Sequence, residues 1–80
     1  VHVKFRIVKP MITDVIDMFG KEVVFSDEDE THVTVAVKTN ERAMEQFAKN
    51  FAPDVEVLQP ESLRQRVKEE LERAVEVYYK

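Results

Sequence analysis

The chain has 80 residues, 44% hydrophobic and 35% charged, with a formal net charge of −4, one glycine, three prolines and no cysteine. Such a length supports a single domain, residues 1–80, with a small core, because a chain of roughly this size buries only about 60% of its unfolded surface. Without cysteine there is no disulfide, thiol nucleophile or thiolate metal ligand; the acidic balance counts against nonspecific duplex binding by the whole surface; and no apolar run approaches the roughly 20 residues of a membrane helix, so a cytoplasmic protein is expected.

The first eight residues alternate Val1, Val3, Phe5 and Ile7 against His2, Lys4, Arg6 and Val8. This period of two predicts a strand with one buried face and one largely basic face. Pro10 then opens a helix on which Ile12, Val15, Ile16 and Phe19 share a side and Asp14 and Asp17 lie opposite, with Gly20 placed to cap its C-terminus. Lys21–Phe25 reads as a second strand, the SDEDE run as an acidic, solvated hairpin turn, and Thr31–Lys38 as a third strand with Val33, Val35 and Val37 pointing inward. Asn40 is placed to cap a helix in which Met44, Phe47, Ala48 and Phe51 recur at helical spacing, and Pro53 ends it.

The last third of the chain is the most informative. Val55 and Val57 face one way and Glu56 and Leu58 the other, so this is again a half-buried strand. Pro60 turns it into a long helix, with Glu61 beside the positive helix N-terminus. Leu63, Val67, Leu71, Ala74 and Tyr78 form one apolar stripe, while Arg66 with Glu70, Lys68 with Glu72 and Glu69 with Arg73 are spaced to pair on the wet side. The stripe is expected to cover the domain's own core. Val75, Val77 and Tyr79 lie outside it and are candidates for a dimer or docking surface.

The order strand, helix, strand, strand, helix, strand implies two right-handed crossover units sharing one antiparallel sheet. That is an α+β, ferredoxin-like split βαβ arrangement, with the first and third strands central, the first two helices on one face and the terminal helix an addition. It leaves three places for that helix: across the open sheet face, against the sheet edge, or against a second molecule.

The segment VEVLQPESLRQRVKEELERAVEVYY resembles the C-terminal extension domain, WCX, that follows the WYL domain in bacterial helix-turn-helix transcription regulators. Those proteins tend to end in a strand, a proline and a helix finishing near a tyrosine, and the matching residues are Val55, Glu56, Val57, Leu58, Pro60, Leu63, Arg64 and Tyr78. The resemblance extends over nearly the whole chain, though its first two thirds are generic in sequence. It implies the same ferredoxin-like core, and that this chain is a piece of a longer regulator, since the tryptophan-tyrosine-leucine motif and the DNA-binding helices are absent from it. The partners implied are the WYL domain of the same parent chain, a second parent chain in a homodimer, DNA through the helix-turn-helix domain, and a single-stranded nucleic acid or nucleotide as effector.

If the first and third strands are neighbours, His2, Lys4, Arg6, His32, Thr34, Ala36 and Lys38 share the outer sheet face. Such a basic face can neutralise phosphates or meet an acidic neighbouring domain, and Arg6, with its planar fork of donors, is the strongest single candidate. The plainer reading is a solvated face whose charges keep the sheet soluble. Stacking of single-stranded RNA bases needs aromatic side chains on these strands, and there are none. His2 and His32 are candidates to lie close across the sheet, but two histidines without further ligands make a poor zinc site, and ordinary surface histidines are expected.

The SDEDE run lacks the glycine and the later bidentate glutamate of an EF-hand loop. Ser26 and Ser62 have no histidine near them in sequence, and a chain with one glycine has neither a phosphate loop nor a nucleophile elbow. A non-enzyme without cofactor or metal is therefore expected. The alternatives are an ACT-like small-molecule sensor, disfavoured because Lys9 and Pro10 stand where glycine is usual after the first strand, and a purely structural oligomerisation module.

Overall fold

The computed structural model describes all residues 1–80. Strand β1 (His2–Val8) runs through a 3-10 turn (Lys9–Met11) into helix α1 (Ile12–Phe19). Strands β2 (Val24–Ser26) and β3 (His32–Lys38) follow, then helix α2 (Glu41–Phe51), strand β4 (Val55–Gln59) and helix α3 (Glu61–Val77). One four-stranded sheet has the order β2-β3-β1-β4, with every neighbouring pair antiparallel. This is the ferredoxin-like arrangement with β1 and β3 central. No helix is long and apolar enough to cross a membrane.

Alternation in β1 and β3 builds the core. Phe5 lies opposite Val35 on one side and Val57 on the other, and Ile7 opposite Val33 and Val55, so the valine-rich sides of three strands meet on one face. Onto that face α1 brings Val15, α2 brings Met44, Phe47 and Ala48, and α3 brings Leu63 and Val67. Phe5, Phe19 and Phe47 touch in tilted and edge-on pairs with ring centroids 5.1–6.1 Å apart, geometries that suit the ring quadrupoles.

Local signals explain the helix ends. The Asn40 side chain accepts a hydrogen bond from the Ala43 N–H at 3.1 Å, satisfying a donor that the first helical turn leaves free. Gly20, at φ 83°, closes α1 with its N–H donating to the Ile16 carbonyl at 2.8 Å, a conformation in which a Cβ is strained. Pro60 precedes the first helical residue of α3 instead of occupying it, and its carbonyl accepts from Leu63 and Arg64.

Several expectations are corrected. The second strand is three residues of exposed edge, beginning at Val24 rather than Lys21. Ile16 is exposed, and Met11 in the preceding 3-10 turn joins Val15 in the core instead. Phe51 is partly exposed and lies against Phe47, 4.9 Å between centroids. The added helix settles beside α2 on the helical face, at the β4 edge, and its stripe is buried only as far as Val67, with Leu71 half-covered. Ala74 and Tyr78 are exposed, Tyr78 to 88%. None of the three predicted i,i+4 pairs forms. Arg66 reaches across to Glu41 (3.2 Å) and Glu45 on α2, while Arg73 pairs with Glu70 one turn back at 3.3 Å. The Arg66 hydrogen bond holds the Glu45 carboxyl below its ordinary pKa.

The acidic turn is anchored at its base. Asp27 takes a positive φ of 48°, and the Asp29 carboxylate accepts from the backbone N–H groups of Thr31 (2.8 Å) and His32 (2.7 Å) and from the Arg6 guanidinium (2.8 Å). Lys9 holds Glu28 at 2.8 Å. The two backbone N–H donors are the main reason the Asp29 pKa falls far below the ordinary aspartate value.

Two predictions follow from this packing. Leu63→Ala, which opens a cavity at a fully buried position, destabilises the domain by about 2–5 kcal/mol in urea unfolding, whereas Tyr78→Ala leaves the midpoint unchanged. Because the Asp29 pKa is depressed on folding, the turn's stabilisation is present above the unfolded-state value of about 3.9 and is lost only as pH falls through the lower folded value. The Thr31 and His32 amide shifts therefore hold steady down to the ordinary aspartate range and move only in stronger acid; Asp29→Ala releases them at neutral pH.

Candidate functional site

With all three helices on one face, the other face of the sheet is uncovered. β1 and β3 set its middle. Lys4 lies opposite Ala36, Arg6 opposite Thr34 and His2 opposite Lys38, and on the flanks Val24 and Ser26 of β2 continue the Ala36 and Thr34 rows while Glu56 of β4 continues the Arg6 row. Thr34 and Ala36 are short side chains between long ones, and Thr34 is 5% exposed although no helix covers it. The result is a low shelf framed by Lys4, Arg6 and Lys38.

Charge on this shelf is unevenly available. Arg6, the strongest candidate from sequence, is committed to Asp29, an acidic group brought over from the turn. Glu56 is held by Arg64 at 2.9 Å. Lys4 and Lys38 form no ion pair. They are diagonal neighbours on the same face, a relation that places side chains about 7–8 Å apart at their bases, close enough for both ammonium groups to reach one anionic group beside Ala36, Lys4 from across the ladder and Lys38 from further along β3.

The histidines do not meet. His2 pairs with Lys38 and His32 with Val8, at opposite ends of the β1–β3 ladder, about 20 Å apart at roughly 3.4 Å per residue. His32 instead approaches the Thr31 hydroxyl through Nδ1 at 2.7 Å. Nowhere do three histidine, aspartate or glutamate side chains converge as a metal site would need.

A second surface lies on the helical side, at the β4 edge. An open groove of about 820 Å³ runs between β4, the Ala52–Pro53 corner and the second half of α3. Its floor is apolar, with Val55, Val57, Val67 and Leu71, and its rim carries Arg64, Lys68, Glu72 and Glu76. Of the residues expected outside the core stripe, Val75 lines this groove at 52% exposure, while Val77 and Tyr79 are exposed beyond its lining. Arg64 also donates to the Val57 carbonyl at 2.7 Å. A β-bulge explains part of this edge: β4 carries one residue more than β1 between the Phe5–Val57 and Lys4–Gln59 pairs, so Leu58 has no partner.

Sequence reasoning missed Asp29 and Glu56 as neighbours of Arg6. Asp29 stands three residues before His32, the spacing of a carboxylate that folds back onto backbone N–H groups, and that was the available signal. Glu56 could be found only from the β1–β4 register.

No curated protein matches the sequence significantly. A model of the WCX domain family matches residues 1–75, nearly the whole chain. The ferredoxin-like sheet, the Pro60 corner and all but the last two residues of the long final helix are inside that match, and the chain belongs to the WCX domain family.

Proposed function

We propose that this domain is the C-terminal, non-catalytic regulatory module of a WYL-type transcription regulator, and that its uncovered sheet face contacts an anionic effector, a single-stranded nucleic acid or nucleotide. In this reading the parent chain supplies the WYL domain and the DNA-binding helix-turn-helix domain and acts as a dimer. The observation that carries the effector role is the pair of unpartnered cations, Lys4 and Lys38, flanking the shallow Thr34–Ala36 strip. Arg6, fixed by Asp29, walls one side of the shelf and leaves part of its donor fork for a ligand. Without an aromatic on the shelf, recognition falls on phosphate oxygens rather than on stacked bases.

A two-dimensional amide titration with short single-stranded oligonucleotides tests this. Shifts are expected at Lys4, Arg6, Thr34 and Lys38, with a logarithmic salt slope of about −1.4 for two neutralised phosphates on a single strand. Lys4→Glu together with Lys38→Glu abolishes them while leaving the fold intact. Shifts elsewhere, or none in low salt, would remove the sheet face from effector binding.

A further inference from the structure

We propose that Asp29 is the specificity-determining residue of the uncovered sheet face: it occupies Arg6 in place of a ligand's phosphate, and so confines recognition to the phosphate charges that Lys4 and Lys38 neutralise. This deepens the effector reading of that face and rests on it.

The face has two unlike ends. At one, His2 lies opposite Lys38, and the Lys4 row runs through Ala36, Val24 and Gln59 without a carboxylate. At the other, the Arg6 row ends on β4 at Glu56, and Asp29 reaches Arg6 from the turn. Positive charge is therefore open at the Lys4 and Lys38 end and neutralised at the Arg6 end.

The two oxygens of Asp29 do different jobs. Oδ1 accepts from the backbone N–H groups of Thr31 at 2.8 Å and His32 at 2.7 Å, and from the Thr31 hydroxyl at 3.3 Å. The Asp29 N–H in turn donates to the His32 carbonyl at 2.9 Å. Only Oδ2 meets Arg6, at 2.8 Å. Loss of the Arg6 contact therefore leaves the carboxylate where it is, held to the turn by Oδ1.

That placement determines what a ligand meets. Lys4 and Arg6 project from β1 two residues apart, about 7 Å at roughly 3.4 Å per residue, a step that successive phosphates of an extended strand can match. A strand lying along β1 thus brings a phosphate over Arg6. The Arg6–Asp29 pair is exposed and weak, and phosphate offers the guanidinium the same paired acceptors as a carboxylate. The displaced Asp29 stays beside the incoming phosphate, however, and two anions in one place repel. An arginine already neutralised by its own chain also has no counterion to release, so it adds nothing to salt-dependent attraction. Strands carrying more phosphates than the two lysines neutralise gain nothing further, and a short phosphate ligand competes with long polyanions on equal terms.

Fluorescence anisotropy of the 80-residue chain with labelled thymidine oligonucleotides of two, three and four phosphates, over a salt series, tests this. The unaltered chain is expected to gain nothing beyond two phosphates and to keep a logarithmic salt slope of about −1.4. Asp29→Asn retains an oxygen for Thr31 and His32, so their amide shifts hold, but it frees Arg6. Binding of the longer strands then tightens about three- to fivefold in low salt, the worth of one exposed ion pair, and the slope steepens to about −2.1. Adding Arg6→Gln to Asp29→Asn returns the slope to about −1.4. Glu30→Gln, the same charge change in the same turn without an ion pair to Arg6, leaves the slope unaltered. A wild-type slope in Asp29→Asn overturns the proposal, as does equal steepening by Glu30→Gln or a gain that survives Arg6→Gln; in each case the unaltered chain still binds and the effector reading stands. Absence of binding by both the unaltered chain and Asp29→Asn removes the effector reading and this proposal together.

Discussion

The alternation of β1 is the constraint on which the rest of this domain depends. As a central strand it is paired on both sides, and its residues divide strictly between Val3, Phe5 and Ile7 beneath the helices and His2, Lys4 and Arg6 on the uncovered face. The core and the candidate effector surface are thus two sides of the same seven-residue strand. A slip of one residue against β3 would put lysine and arginine under the helices and expose the phenylalanine. The cost of burying those charges unpaired is what fixes the register, and the register in turn sets Lys4 diagonal to Lys38.

Much of this was legible in the sequence because it rests on local chemistry. The alternation of Val33, Val35 and Val37, the Asn40 cap, the Gly20 terminus and the order of elements each follow from short-range rules, and together they lead to the sheet order found. What was not legible depends on which long side chain wins a shared partner. Arg66 has Glu70 one turn away, yet the packing of α3 on α2 offers it two carboxylates, Glu41 and Glu45, at once. Arg6 is exposed by periodicity but is claimed by a carboxylate from a turn more than twenty residues along the chain. The two histidines share a face by parity and are still separated by the full length of the ladder, since antiparallel pairing runs β3 back along β1.

The end of α3 marks a different boundary. Its apolar stripe is continuous in sequence, and from periodicity alone the whole stripe reads as core. The sheet beneath it is finite, however, and β4 is only five residues long, so a seventeen-residue helix necessarily outruns its support. A helical pattern states which side is apolar; the length of the neighbouring strand states how much of that side the domain itself can cover.

The Arg64 guanidinium at the sheet edge has a consequence for how this molecule avoids uncontrolled growth. Sheet edges invite further strands, and open-ended stacking of strands is the route to fibres. On the β4 edge an arriving strand meets the Val57 carbonyl already occupied by a charged donor that is also locked to Glu56, and next to it the unpartnered Leu58 interrupts the ladder's regular spacing. On the β2 edge it finds three residues, too short a template to hold it. Arg64 and the bulge thus guard one edge and the brevity of β2 the other, leaving the flat face and the last helix as the surfaces through which the domain can meet other molecules.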